Sequence, residues 1–183
     1  MKRVLVAGAT GYLGGFVCKA FKDRGYFVRA LVRSSKKLDG LWDSTDEIVE
    51  AQVTQPETLT RICDDIDCVF SSVGITRQKD GLSYMDVDFQ ANMNLLAEAM
   101  RSGVKKFIYV SVLNGERLRY LKICAAKERF VEQLEKSGLD YCVVRPNGFF
   151  SDMTEFFDMA RKGRIYLFGN GALKTNPIHG EDL

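Results

Sequence analysis

The sequence predicts an α/β fold: a doubly wound parallel sheet, strand order 3-2-1-4-5-6, with helices on both faces. Three observations predict it. Short apolar runs alternate with stretches of helical periodicity along the whole chain, which is the pattern of successive βαβ units. Three of the helical stretches end in a glycine, at Gly25, Gly103 and Gly138, and pass directly into the next apolar run. Glycine enters the left-handed conformation that closes a helix without steric cost. Finally, the first apolar run leads through a glycine-spaced turn straight into a helix, Val4-Leu5-Val6-Ala7-Gly8-Ala9-Thr10-Gly11-Tyr12-Leu13-Gly14.

The strands are expected near residues 3–8, 27–32, 48–53, 67–73, 105–111 and 140–145. The first helix shows its buried face in Leu13, Phe16, Val17, Ala20 and Phe21, which recur at helical spacing. Thr54-Gln55-Pro56-Glu57 reads as a capping box with proline in the first turn, opening a short helix to about Cys63. A longer amphipathic helix is expected from about Met85, with Phe89, Met93, Leu96 and Met100 on its apolar side and Asn92 and Glu98 off it. After Pro146 the rhythm changes. Asn147-Gly148 marks a turn, and Met153, Phe156, Phe157 and Ala160 mark a helix ending at Gly163. A short strand and an Asn170-Gly171 turn are expected next.

Composition narrows the classes of function. At 183 residues the chain suits one domain, with 46% hydrophobic and 27% charged residues, ordinary values for a folded globular protein. A formal net charge of +2 lacks the basic excess that phosphate-backbone binding requires, so nucleic acid is not an expected partner. Five cysteines form no Cys-x-x-Cys pair, and the odd count argues against a disulfide framework. The apolar run before Gly8 is short for a signal peptide, and no stretch approaches the ~20 apolar residues that span a bilayer. A cytoplasmic protein without membrane insertion is the expectation. The single histidine, His179, has no ligand companions, so no metal site is expected.

The glycine turn carries the strongest chemical signal. Gly8, Gly11 and Gly14 lie between an apolar strand and a helix. In that setting, glycines permit a tight turn and the close approach of a pyrophosphate, whose charge meets the N–H groups of the helix start. The turn residues Gly8, Thr10, Gly11, Tyr12, Leu13 and Gly14 are therefore candidates for holding a dinucleotide in a Rossmann fold.

The end of the second strand refines this. Ala30-Leu31-Val32-Arg33-Ser34-Ser35-Lys36-Lys37 has no acidic residue where an NAD site places one to bind the adenosine ribose. Arg33 instead offers a planar fork suited to a 2′-phosphate, with Ser34 and Lys36 beside it, so NADP(H) is expected in preference to NAD(H). Lys127 falls at helical spacing from Ile123, Phe130 and Leu134, on an apolar face where a charge is costly without a partner. Either it reaches a bound cofactor or it snorkels to solvent.

These sites, together with Ile108-Tyr109-Val110-Ser111 and Val143-Val144-Arg145-Pro146-Asn147-Gly148-Phe149-Phe150, make the chain resemble the atypical short-chain dehydrogenase/reductases of the NmrA-like branch. Gly-x-x-Gly-x-x-Gly is the spacing of that superfamily. Within it, Ala126-Lys127-Glu128-Arg129-Phe130, the Arg-Pro-x-x-Phe-Phe segment and Phe168-Gly169-Asn170-Gly171 are most similar to divinyl chlorophyllide reductases. The resemblance implies an NADPH-dependent oxidoreductase acting on an unsaturated or carbonyl group of a small molecule. It implies Lys127 at the nicotinamide ribose, Ser111 orienting a substrate carbonyl, and Gly74, Pro146 and Phe149 on the nicotinamide side.

Two features depart from the family pattern. The catalytic tyrosine that precedes the lysine by four residues is replaced by Ile123, leaving Tyr120, about two helical turns from Lys127, as a distant substitute. Relatives also continue beyond the segment 177–183, so residues 1–183 are expected to be an NAD(P)-binding domain in which 147–183 begins a substrate-side region. The alternative reading is a non-catalytic, NADP(H)-responsive regulatory or assembly protein with a protein partner, as in other NmrA-like members.

Overall fold

The computed structural model describes residues 1–34, 42–75, 81–166, 169–172 and 174–183. Its centre is a sheet of six strands, all parallel, in the order β3-β2-β1-β4-β5-β6. The strands are β1 (Arg3–Ala7), β2 (Phe27–Val32), β3 (Glu47–Glu50), β4 (Cys68–Ser71), β5 (Lys106–Val110) and β6 (Asp140–Val144). Among the described residues four α-helices accompany them: α1 (Tyr12–Asp23), α2 (Asn92–Arg101), α3 (Lys122–Glu135) and α4 (Thr154–Arg161). The expected strand order is the observed one.

Strand alternation divides the core into two layers. Val4, Val6, Val28, Ala30, Cys68 and Phe70 pack with Leu13 and Cys18 of α1. Leu5, Ala7, Leu31, Val69, Phe107 and Tyr109 point the other way, onto Leu95, Leu96 and Ala99 of α2 and Phe130, Val131 and Leu134 of α3. The central strand β1 is apolar and buried from Val4 to Ala7 because both of its faces are covered there. Gly25, Gly103 and Gly138 all have positive φ, as the helix-closing role requires.

Three local expectations are corrected. Thr54 does not cap a helix. Gln55 precedes a single 3₁₀ turn, Pro56–Leu59, and Thr58 organises it, its hydroxyl accepting from Gln52 N–H (2.9 Å) and lying 2.8 Å from the Gln55 carbonyl. The helix stops short of Cys63 because Arg61 and Asp65 adopt left-handed φ of 67° and 60°, which turn the chain back toward β4.

The helix expected from Met85 is not an ordinary amphipathic one. Residues Met85–Ala91 are π-helical and continue into α2. Leu96 is buried and Phe89 and Met93 pack against the core as expected, whereas Asn92 and Glu98, expected off the apolar side, are buried and Met100, expected on it, is exposed. Third, residues 164–166 are not strand where a short strand is expected after Gly163, and residues 167 and 168 of that stretch lie outside the described residues. The chain end instead returns to residue 149, through a parallel bridge between Phe149 and Ile178.

Candidate functional site

A cavity of about 740 Å³ runs across the carboxyl ends of the strands, where the order reverses between β1 and β4. That is where open parallel sheets of this kind leave a crevice for ligands.

One end is the glycine turn. Gly8 has φ +87°, and a Cβ there would lie 2.7 Å from Ser72 Oγ. A Cβ on Gly14 would lie 2.1 Å from the Gly8 carbonyl oxygen, so the start of α1 sits directly against the turn. Gly11 caps α1 without a side-chain hydrogen bond, and no acidic residue occupies the first helical turn. The helix start therefore keeps its N–H groups and positive dipole end for an anion. Gly8, Thr10, Gly11, Tyr12, Leu13 and Arg33 line this part of the cavity. Gly14 packs behind it, Ser34 is not among the lining residues, and Lys36 lies outside the described residues.

The Tyr12 ring meets Phe149 at 5.4 Å and Phe16 at 5.3 Å. Its hydroxyl accepts from Gly180 N–H at 3.2 Å. His179 lies edge-on to Phe16 at 5.0 Å, so the histidine serves the docking of the segment 177–183 onto α1.

Away from the glycine turn the cavity is lined by Gly74, Asp88, Ser111, Ile123, Lys127 and Pro146, with Phe149 lining it beside Tyr12. Lys127 does not snorkel to solvent: its side chain is 12% exposed and its ammonium lies 3.0 Å from Asp88 Oδ1, whose side chain is fully buried. Lys127 Nζ also donates to the Val110 carbonyl at 3.3 Å, and it lies 5.3 Å from the centre of the Tyr109 ring. An ammonium has three donors, so capacity remains for a ligand in the cavity. Gly74 borders this pair; a Cβ on it would stand 2.6 Å from Asp88 Oδ1 and 3.0 Å from Lys127 Nζ.

Ser111 is held by a second buried ion pair. Its hydroxyl donates to Glu128 Oε1 at 2.6 Å, and Glu128 is bound in turn by both terminal nitrogens of Arg145. Burial alone would raise the Glu128 carboxyl, but the Arg145 guanidinium and the Ser111 hydroxyl together hold it below its ordinary value. An ionised carboxylate only accepts. The Ser111 proton is thus committed to Glu128, and what Ser111 can offer the cavity is an acceptor lone pair.

Tyr120 is not brought into the site. It is 78% exposed on the loop before α3 and is not among the lining residues. Ile123, at the position of the family tyrosine, does line the cavity. Cys124 is buried, and burial pushes its thiol up, as expected of a core residue.

Sequence reasoning missed Asp88, Glu128 and Arg145 as site-forming charges. A signal for the second pair was present, since Glu128 adjoins Lys127 on a mostly apolar helix and Arg145 ends an apolar strand. Asp88 carried no such signal, because its partner Lys127 lies 39 positions away in the sequence. Among the described residues, no helix is long and apolar enough to cross a membrane.

Comparisons with known proteins place the chain in a family. Residues 8–165 match the NAD(P)H-binding family. The photosystem II assembly factor Ycf39 of Synechocystis is 32% identical over 147 residues, 80% of this chain and 45% of that protein. The chloroplastic divinyl chlorophyllide a 8-vinyl-reductase of Arabidopsis thaliana is 28% identical over 200 residues, 98% of this chain and 48% of the reductase. The chain thus spans about half the length of these curated relatives. Among solved structures, triphenylmethane reductase from Citrobacter in complex with NADP(H) superposes with a TM-score of 0.77 at 17% identity, covering 100% of this chain and 62% of the other. That likeness supports the fold, while the family match covers the glycine turn, Arg33 and Lys127. The chain therefore belongs to the NAD(P)H-binding family of Rossmann-fold proteins, and the divinyl chlorophyllide reductases that its motifs resemble are among its relatives.

Proposed function

We propose that the chain binds NADP(H) in preference to NAD(H) and serves reduction of an unsaturated or carbonyl carbon in a small organic substrate. The observation that carries this is one continuous cavity with the glycine turn and Arg33 toward one end and the Lys127–Asp88 pair at the other. The residues fit the cofactor: bare glycine backbone and a helix start free of acidic side chains for the pyrophosphate, and Arg33 for the 2′-phosphate. Lys127 would take the nicotinamide ribose.

Bound NADPH supplies the hydride. The chain's own part is to orient and to stabilise charge. The Lys127 ammonium favours negative charge that develops on a reduced substrate. Ser111 presents an acceptor to an N–H or O–H, and Phe149 and Pro146 supply apolar walls. Ile123 offers no proton, so protonation of the product does not follow the family's tyrosine route. We assign residues 147–183 to the substrate side, since Asn147, Ser151, Asp152 and Thr154 line the cavity. A reducing compartment such as the cytoplasm suits five free cysteines, four of them buried.

A second reading has specific support. Ile123 in the cavity and similarity to proteins named as photosystem II assembly factors favour a dinucleotide-responsive assembly or regulatory protein. NADPH oxidation measured against a panel of enones, quinones, flavins and vinyl porphyrins separates the two. Substrate-dependent oxidation with at least one is expected; tight NADPH binding with oxidation by none overturns the reductase reading and leaves the assembly reading.

A further inference from the structure

We propose that Asp88 is a positioning residue for Lys127, its buried carboxylate holding the ammonium at the inner end of the cavity for the nicotinamide half of the cofactor. The inference rests on the reading that this cavity takes NADP(H).

Asp88 is fully buried, a costly place for a carboxylate unless something answers its charge. Its Oδ2 accepts from Ile75 N–H at 3.1 Å. Its Oδ1 has no aligned hydrogen-bond donor, and the Lys127 ammonium meets it as a charge from 3.0 Å. The neighbouring carboxylate, Glu128, does not compete for Lys127, because Arg145 and Ser111 already occupy both of its oxygens.

The backbone around Asp88 is fixed from several sides. Asn92 Nδ2 donates to the Asp88 carbonyl (3.0 Å) and to the Val73 carbonyl (3.2 Å), and Asn92 Oδ1 accepts from Ser71 at 2.6 Å. The Tyr109 hydroxyl lies 3.4 Å from the Asp88 carbonyl. The π-helical turn that results aims the carboxylate into the space Gly74 leaves by having no Cβ. Such turns occur frequently at functional sites. A contact serving only to tie the π-helical turn to α3 would not need an oxygen without an aligned donor at the cavity wall. The arrangement keeps Lys127 turned inward, against the Tyr109 ring, where its remaining donors reach a ligand.

The test titrates NADPH and 2′,5′-ADP, which carries the adenosine and 2′-phosphate but no nicotinamide half. The proteins are wild type, Asp88→Asn, Lys127→Met and the double variant. Asp88→Asn should weaken NADPH about tenfold, the value of the charge-assisted contact that Lys127 makes to the nicotinamide half when it is held inward, and leave 2′,5′-ADP unchanged. Lys127→Met should do the same, and the double variant should bind NADPH no more weakly than Lys127→Met alone. If Asp88→Asn weakens both ligands equally, or if the two losses add, Asp88 is structural and the proposal fails. Should Asp88→Asn not fold, the comparison of Lys127→Met with the double variant, which leaves neither charge unpaired, still decides: a further loss in the double variant overturns the proposal. If wild type binds neither ligand, the cofactor reading itself has failed; if it binds 2′,5′-ADP and NADPH alike in every variant, only the role of Asp88 has.

Discussion

Gly14 and Gly15 are neighbours in the first turn and a half of α1, and substituting each by alanine should move stability in opposite directions. In an isolated helix, either change would stabilise by about 1 kcal/mol, because alanine loses less backbone freedom on folding. A Cβ on Gly15 meets nothing within 4 Å, so that gain should be realised there. A Cβ on Gly14 would sit 2.1 Å from the Gly8 carbonyl oxygen and 2.7 Å from Ala9 Cα, well inside ordinary contact. Both obstacles are backbone and cannot rotate away. Relief requires α1 to move off the turn, and overpacking of this kind costs roughly 1–3 kcal/mol or more. For a chain of this size about 1 kcal/mol corresponds to 2–4 °C in Tm. Gly15→Ala should therefore raise Tm by about 2–4 °C. Gly14→Ala should lower it and also weaken NADPH binding, since the displaced turn is the anion cradle. Thermal unfolding and NADPH titration of both variants provide the assay. A Gly14→Ala protein as stable as Gly15→Ala and equal in NADPH affinity to wild type would refute the close approach of α1 to the turn.

Arg33→Asp should erase or reverse a preference for NADP(H) over NAD(H) worth about 1.5 kcal/mol, or roughly tenfold, with the melting profile unchanged; equal affinities of the wild type for the two cofactors would count against Arg33. Glu128→Gln should destabilise by about 3 kcal/mol in chemical denaturation, toward the lower end for one partner of a buried pair because the Arg145 side chain is 24% exposed. Replacing Glu128 and Arg145 together by methionine should recover much of that loss. Stability should also fall on acidification. A hydrogen bond from Lys22 holds Asp46 below its ordinary value, hydrogen bonds from Arg61 and Arg101 hold Asp64 at about 2, and Glu128 is likewise lowered against its burial. The unfolded chain takes up protons at these groups first, so their contribution is full above their ordinary values, 3.8 for aspartate and 4.5 for glutamate, and is lost as pH falls toward 2. Denaturation midpoints that stay level between about pH 5 and 2.5 would contradict these pairings.

Much of the fold was legible because its signals are local. An apolar run covered on both faces, a helix with one apolar stripe and a glycine closing each helix are properties of short windows. Strand order followed from reading the glycine turn and its family resemblance as a Rossmann fold, whose order is 3-2-1-4-5-6. The same holds for the glycine turn and Arg33, whose expected roles depend on backbone shape and charge within a few residues of a strand end. Less legible were the places where a polar residue is buried by something distant. Glu98 and Asn92 read as lying off the apolar side, yet they are buried with polar partners, Arg101 for Glu98 and Ser71 and the Val73 and Asp88 carbonyls for Asn92. Thr54 had the pattern of a helix cap, yet the chain had to reverse at Arg61 and Asp65, so Thr58 took the organising role.

The sequence by itself determined the parallel sheet, the glycine turn and the identity of Lys127 as a candidate site residue, since each rests on spacing along the chain, and the strand order came with the Rossmann fold that the turn resembles. Only the tertiary structure decided that Lys127 faces inward rather than outward, that Asp88 answers its charge, and that Glu128 accepts the hydrogen bond of the Ser111 hydroxyl. Those facts join residues 39 and 17 positions apart through the packing of α3 against the sheet and the π-helical turn. A charge's partner across such distances is set by geometry in three dimensions, and burial then multiplies its importance, because a carboxylate or ammonium removed from water must find its counterpart where the fold places it.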